Sequence, residues 1–451
     1  MKSIYFLGIG GIGMSALALY YKNKGVHVSG YDKSASVVTE RLQQKNIEVF
    51  FIDDISHIPQ DIDFAVYTPA VPPTLKEMQY IKEKGIPLYK RSEVLGFISK
   101  ESNCCIAVAG THGKTTTTAL TAHLLATQQT PTAFIGGIAK NFNSNFVTAT
   151  TADKVVVEAD EYDRSLLTLN PDIAILLSID ADHLDIYKDR ADLTHTFAQF
   201  LNKVKVGGKR LVHHALKDEI APLIDTKDCL FFDINNPKAD YFADNIRILH
   251  GKYTFDLHLY GGEIIPDISL QSPGLHNINN SVAAAAAAHL CSISAENIRQ
   301  GISSFSGVKR RFDFIAQTPH CVFIDDYAHH PTEIKATIAA ARDFFPTKKL
   351  TGIFQPHLYS RTRDLIDDFA TALSGLDEVI LLPIYPAREL PIEGVTSEWL
   401  LSKIKSTHKQ CCSKETLPNL IQQQKPEVLL TIGAGDIELL LPQLKAVVNT
   451  L

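Results

Sequence analysis

Val108-Ala109-Gly110-Thr111-His112-Gly113-Lys114-Thr115-Thr116 follows the apolar run 106–109 and opens a stretch of helical character. It departs from the strict G-x-x-x-x-G-K-[ST] phosphate loop, since position 108 is Val, yet the working half is present. Backbone amides around Gly113 would cradle phosphates, Lys114 would neutralise the β and γ oxygens, and the Thr115 hydroxyl would hold Mg²⁺. A chance Gly-Lys-Thr in a surface turn is the plainer alternative, and the flanking strand and helix weigh against it. The same strand–turn–helix unit recurs outward on both sides. Apolar runs at 4–7, 64–67, 155–157, 174–178, 321–324, 350–354, 379–382 and 428–432 alternate with longer amphipathic stretches. That rhythm predicts an α/β fold with mainly parallel sheets, whose strands are covered on both faces and so read as continuous apolar runs.

A triphosphate site needs a carboxylate at a nearby strand end to complete a metal shell. Glu158, in Glu158-Ala159-Asp160-Glu161, follows the run 155–157 and is expected at a strand's C-terminal tip, where ligands of open parallel sheets bind. Asp180-Ala181-Asp182-His183-Leu184-Asp185 repeats the arrangement with a histidine. His183 is a candidate ligand of a second metal, with Asp182 or Asp185 orienting its ring. Simple solvation of these side chains at strand ends is the competing reading.

A different glycine turn opens the chain. Gly8, Gly10 and Gly13 of Leu7-Gly8-Ile9-Gly10-Gly11-Ile12-Gly13-Met14 satisfy G-x-G-x-x-G between a strand and a helical stretch, and the next strand ends at Tyr31-Asp32. Such glycines permit a tight turn and close approach of amides to a pyrophosphate, and Asp32 lies at the distance of a ribose-binding acid. Taken alone, this turn predicts a dinucleotide cofactor.

Composition limits the remaining classes. The 451 residues carry 44 Lys+Arg against 50 Asp+Glu, a net charge of −6, which argues against sequence-blind binding to nucleic acid or anionic membrane. No apolar run approaches the ~20 residues of a spanning helix, and no cleavable leader is readable at the start. Seven cysteines without a C-x-x-C pair suggest reduced thiols in the cytoplasm and no zinc knuckle. The strand pattern restarts at Gly110 and near Cys321, giving three units, about 1–99, 100–308 and 309–451. Residues 229–270 look like hairpins on the edge of the middle sheet. Gly274-Leu275-His276-Asn277-Ile278-Asn279-Asn280 precedes the alanine-rich helix around 283–288, where its amides would cap that helix or read an adenine edge. Asp326-Tyr327-Ala328-His329-His330-Pro331 and Gln355-Pro356-His357-Leu358-Tyr359-Ser360-Arg361-Thr362-Arg363 both follow strands of the third unit.

The order of these motifs, closed by Gly433-Ala434-Gly435-Asp436, resembles the Mur ligase family over essentially the whole length, and specifically its alanine-adding branch. The resemblance implies three domains: a Rossmann-like N-terminal one for a UDP sugar, a P-loop ATPase-like central one and a Rossmann-like C-terminal one. It implies ATP-driven amide formation between L-alanine and the lactyl carboxylate of UDP-N-acetylmuramate through an acyl phosphate, in peptidoglycan precursor synthesis. ATP and Mg²⁺ are the implied cofactors, with no nucleic acid or membrane partner and a monomer or weak dimer.

By this resemblance Gly8, Gly10, Gly11, Gly13, Met14, Asp32 and Thr68 hold the UDP sugar, the first glycine turn serving its pyrophosphate and not NAD. ATP falls to Gly110, Thr111, His112, Gly113, Lys114, Thr115, Thr116, His276, Asn277, Asn280, Arg311 and Asp326. The metals fall to Thr115, Glu158 and His183, and the catalytic groups are Lys114, His183, His329 and Arg361. Two positions depart from the family pattern. Leu358 stands where many relatives carry Arg, and Tyr162 where alanine-adding relatives often have Ser. A tyrosine there also occurs in the branch that adds a recycled tripeptide, which is the alternative function, an NAD-dependent oxidoreductase being more remote.

Overall fold

The computed structural model describes residues 1–148, 153–180, 186–249, 252–387 and 389–451. Its strands form three sheets, and the described chain divides into two compact units. The first comprises Met1–Ile246, Thr254–Ser269 and Ile278–Ser306; the second comprises Arg247–Tyr253, Leu270–Asn277 and Gly307–Leu451.

In the first unit a five-stranded parallel sheet runs in the order Glu48–Phe50, His27–Tyr31, Ser3–Leu7, Phe64–Tyr67, Leu88–Lys90. Leu7 is in register with both Tyr31 and Tyr67, so the residues that follow, Gly8, Asp32 and Thr68, leave the sheet along one edge. Alternation along the first strand sends Ile4 and Phe6 into one core, and Tyr5 and Leu7 into another beneath the helix Lys76–Glu83.

The core containing Ile4 and Phe6 continues without a break into the second sheet. Tyr20, on the helix Ile12–Asn23, packs at 5.5 Å on Phe134 and 6.3 Å on Phe146. That sheet has ten strands, with Cys104–Ala109 between Ile173–Leu176 and Lys154–Glu158, all three parallel. Cys105 to Ala109 are inaccessible to solvent, as a central parallel strand requires. Strands Cys229–Ile234, Tyr241–Leu249, Lys252–His258 and Ile264–Leu270 extend one edge. The hairpin expectation fails at the first connection, where Phe232 to Ile234 pair in parallel with Tyr241 to Ala243.

The helix around Ala283 also begins earlier than its expected start after Asn280. It spans Leu275–Leu290, so His276, Asn277 and Asn280 form its first turns instead of preceding it. Gly274, at φ +99°, allows the chain to enter, and the Asn277 side chain caps backward onto the Pro273 carbonyl at 2.6 Å. Ala283 to Ala288 are all inaccessible, since only small side chains fit a helix covered on every side.

The second unit contains a six-stranded sheet ordered Asp313–Gln317, Val322–Asp326, Val428–Ile432, Leu350–Phe354, Glu378–Leu381, His408–Cys411. Its first pair is antiparallel and the others are parallel. Separate apolar cores cover its two faces, with Ile324 and Phe354 on one side and Phe323 and Ile353 on the other. No helix among the described residues is long and apolar enough to cross a membrane.

Candidate active site

The loop after Cys104–Ala109 is shaped by two glycines at positive φ, Gly110 at +136° and Gly113 at +83°. A Cβ on Gly113 would lie 2.5 Å from the Asn280 side-chain oxygen, so the loop accepts no side chain there. Ser178, beyond the neighbouring strand, braces it: its hydroxyl lies 2.9 Å from Thr111 Oγ1 and accepts the His112 amide at 3.0 Å. His112 Nε2 pairs with Asp180 at 3.0 Å. The helix Lys114–Ala126 then starts with no acidic residue in its first turn, which leaves its positive end for an anion.

Lys114 and Thr115 leave this turn toward two carboxylates. Lys114 Nζ donates to the Gly110 carbonyl at 2.6 Å and to Glu161 Oε1 at 2.8 Å. Burial works against its charge, but Glu161, Asp160 and Glu158 outweigh it and hold the ammonium above its ordinary value. Burial pushes the Glu161 carboxyl up to about 7, against the pull of Lys114. Thr115 Oγ1 donates to Glu158 Oε1 at 3.1 Å, while Glu158 Oε2 accepts the Gly136 amide at 2.9 Å. Glu158 ends the strand Lys154–Glu158, as its position in the sequence implies. Thr116 follows on the same first turn, half-buried.

The first glycine turn is built differently. Gly8, at φ +84°, donates its amide to the Tyr31 carbonyl at 2.8 Å, and Gly10 donates its own to Asp32 Oδ2 at 2.7 Å. A Cβ on Gly10 would sit 2.8 Å from that same oxygen. Asp32 therefore braces the turn. The helix Ile12–Asn23 starts from Gly11 with neither a side-chain cap nor an acid in its first turn. A cavity of about 360 Å³ opens there, within the size range of ligand pockets. Gly11, Gly13, Thr68, Arg91, Gly136, Glu158 and Asp160 are among the residues that line it. Met14 also reaches it, though 1% exposed and mainly part of the core.

In the second unit Asp326 is buried, its oxygens accepting the amides of Phe312 and Ala328 at 2.8 Å each. Burial pushes this carboxyl up to about 6, with Arg311 and the two amides pulling the other way. His329 Nδ1 lies 3.0 Å from the Tyr327 carbonyl and 3.4 Å from Glu333, which also pairs with Arg311 at 3.8 Å. His330 serves as the cap of the helix Pro331–Phe344, its Nδ1 accepting the Thr332 amide at 3.3 Å. Arg361 lies on the short helix Tyr359–Asp364, whose first cap is Leu358 at φ +70°. The neighbouring Arg363 is paired with Asp364.

Comparison with known proteins agrees with this geometry. The chain matches the family descriptions "Mur ligase family, catalytic domain" over residues 3–103, "Mur ligase middle domain" over 108–288 and "Mur ligase, glutamate ligase domain" over 310–440. It is 47% identical to the UDP-N-acetylmuramate–L-alanine ligase of Christiangramia forsetii, over 97% of this chain and 95% of that one. It is 44% identical to the enzyme of the same name from Porphyromonas gingivalis, over the full length of both. Among solved structures, the UDP-N-acetylmuramate–alanine ligase of Thermotoga maritima superimposes over both whole chains with a TM-score of 0.84 at 26% identity. The chain belongs to the Mur ligase family. As a Mur ligase it is an ATP-dependent, ADP-forming carboxylate–amine ligase with an α/β fold of three domains.

Within this Mur ligase the structure brings Gly110 to Thr116, Asn280 and Glu158 to one place, and Gly8 to Met14, Thr68 and Asp32 to another, with a cavity touching both. His183, Asp182 and Asp185 lie outside the described residues. His276, Asn277, Arg311, Asp326, His329 and Arg361 belong to the second unit. Asp32 and Asp326 both have carboxylate oxygens engaged by backbone amides. Sequence reading missed Ser178, Gly136, Glu333 and Arg91 as members of these sites, and gave Glu161 no role although it stands within the quoted motif. For Arg91 no local pattern gives a signal.

Proposed function

We propose that this chain joins L-alanine to the lactyl carboxylate of UDP-N-acetylmuramate, consuming ATP, in the synthesis of peptidoglycan precursors. The observation that carries this reading is the cavity that runs from the Gly11–Gly13 turn to Glu158. A UDP sugar anchored by its diphosphate at the turn would extend its acid toward the carboxylate shared with the phosphate loop. The tripeptide-adding alternative rests on Tyr162 alone, and the oxidoreductase gives no work to Lys114 or Glu158. We assign residues 1–99 to the UDP sugar, 100–308 to ATP and 309–451 to the amino acid, in a cytoplasmic monomer or weak dimer.

A carboxylate is a poor acyl donor because oxide is a poor leaving group. The lactyl carboxylate first attacks the γ-phosphorus, releasing ADP and leaving an acyl phosphate. Lys114, charged and aimed from the helix N-terminus, stabilises the negative charge that spreads over the transferred phosphoryl group. Thr115 and Glu158 present hard oxygens 3.1 Å apart, a donor set suited to Mg²⁺, which uses one or two protein oxygens together with phosphates and water. Bound there, the ion supplies neutralising charge to the phosphate oxygens. The uncharged amine of L-alanine then attacks the activated carbonyl and phosphate departs.

His329 is the base we assign to that amine. A carbonyl only accepts, so the bond to Tyr327 places the ring proton on Nδ1 and makes Nε2 the basic nitrogen. His330 is less suited, because its Nδ1 already accepts the Thr332 amide. Arg361 grips the alanine carboxylate, since a guanidinium fork fixes orientation as well as position. Phosphate release measured with ATP, Mg²⁺, UDP-N-acetylmuramate and single amino acids tests the assignment. Alanine should support release, and a reaction supported only by a tripeptide would replace it with the alternative.

A further inference from the structure

Arg91 opens the helix Arg91–Glu101, and its guanidinium lies against the start of the helix Ile12–Asn23. A Cβ on Gly13 would be 2.9 Å from Arg91 Nη1 and 3.0 Å from its Cδ. This is an unfavourable place for a cation. The N-terminus of a helix carries partial positive charge, here uncapped by any side chain and without an acid in the first turn. Among the described residues the guanidinium pairs with Asp160, Nη2 to Oδ2 at 3.3 Å, with both side chains partly open to solvent. Both Arg91 and Asp160 line the cavity described above. A positive helix end and a guanidinium converge on one cavity, where Asp160 meets the guanidinium with Oδ2 and accepts the Tyr162 amide at 3.0 Å with Oδ1, an arrangement suited to a multiply charged anion that can displace the Oδ2 contact.

We propose that Arg91 is a specificity-determining ligand of the UDP-sugar diphosphate, kept in reserve by Asp160 and released to the diphosphate when the nucleotide sugar arrives. The inference rests on the function proposed above. In the free chain Asp160 is the stand-in anion. On binding, the diphosphate takes its place, with the helix amides on one side and the guanidinium fork on the other. Asp160 belongs to Glu158-Ala159-Asp160-Glu161, so the exchange frees a carboxylate two residues from Glu158 and makes occupancy of the sugar site felt at the ATP site. The lysine before it is held in parallel, Lys90 Nζ pairing with Asp163 at 2.9 Å.

Calorimetric titration of the full chain with UDP-N-acetylmuramate, UDP and uridine tests the exchange. Arg91→Ala should weaken UDP and UDP-N-acetylmuramate by about tenfold or more, the effect of one lost charge-assisted fork, and leave uridine and ATP within about twofold. Arg91→Lys, which keeps the charge and the fold but not the fork, should recover part of the loss. Asp160→Asn should tighten UDP clearly more in the wild-type background than in the Arg91→Ala background, the difference being the part of the competition that runs through Arg91. Equal loss of UDP and uridine in both Arg91 variants, or a UDP affinity indifferent to Asp160→Asn, would overturn the exchange while leaving the enzymatic assignment intact. A wild-type chain that binds no UDP-N-acetylmuramate would instead overturn the assignment, and the inference with it.

Discussion

Lys114 illustrates how much a single residue owes to its surroundings. Its ammonium is buried, donates to a loop carbonyl and faces Glu161, which burial holds near pH 7. A triphosphate brings far more negative charge than one carboxylate, so the lysine has somewhere better to go. Lys114→Ala should nearly abolish phosphate release and leave the affinity for UDP-N-acetylmuramate close to wild type. Calorimetry on the variant checks this, and a comparable loss of sugar affinity would contradict the separate sites. Arg361→Ala should raise the KM for alanine by about thirtyfold, equivalent to about 2 kcal/mol for a desolvated charge pair, with ATP and UDP-sugar saturation unchanged. Weakened ATP with unchanged alanine saturation would make Arg361 a phosphate ligand. Lys114 stands out in sequence because loop type and spacing constrain it, whereas the role given to Arg361 comes from the family resemblance. The braces were not readable in this way: Asp32 lies where a ribose acid belongs by position, yet the Gly10 amide claims its Oδ2. Arg91 reaches the first turn only through the tertiary fold.

Among elements, the helix Lys76–Glu83 carries the most consequential buried group outside the site. Glu77 is inaccessible and accepts from Tyr5 OH at 3.0 Å and from the Asp54 amide at 3.3 Å. Asp53 caps this helix through the amides of Lys76 and Glu77, and His57 Nδ1 lies 3.9 Å from Glu77. Burial pushes the Glu77 carboxyl from 4.5 up to about 7, the hydrogen bonds from Tyr5 and Asp54 opposing it and the charges of Asp53 and Asp54 adding to it. The folded chain therefore binds a proton that the unfolded chain has already released between those values. The stabilising contribution is complete below about pH 4.5 and is lost as the pH rises through 7, at most about 3 kcal/mol. Glu77→Gln should remove this dependence, unfolding at a higher denaturant midpoint than wild type at pH 8 and at a similar one at pH 5. Parallel curves for the two proteins would place the titration elsewhere. Elements with a strong apolar signal, such as Phe64–Tyr67, Leu350–Phe354 and Val428–Ile432, were legible with their bounds. The helix Leu275–Leu290 was not, because Asn and His in its first turns favour caps by propensity while the packing continues the helix through them.

For the whole molecule, the sequence predicts three consecutive α/β parts and the strands do form three sheets. Compactness does not follow the same division, since the first two sheets share a core through Tyr20, Phe134 and Phe146 and make one unit. Large aromatics on the helix Ile12–Asn23 look like ordinary core residues in sequence, and nothing local says that they pack on another sheet. The same merger positions the function, because it sets the glycine turn that starts this helix within one cavity of Glu158. In the function proposed above, this cavity delivers a sugar-bound acid to ATP for amide formation with alanine. The most direct measurement is phosphate release, with product mass determined in parallel, from the intact chain given ATP, Mg²⁺ and UDP-N-acetylmuramate together with L-alanine, glycine, L-serine or a tripeptide in separate reactions. Release is expected only when all components are present, highest with L-alanine, matched by a product heavier by one alanine residue. Release that proceeds with the tripeptide and not with alanine, or none with any amine, would contradict it.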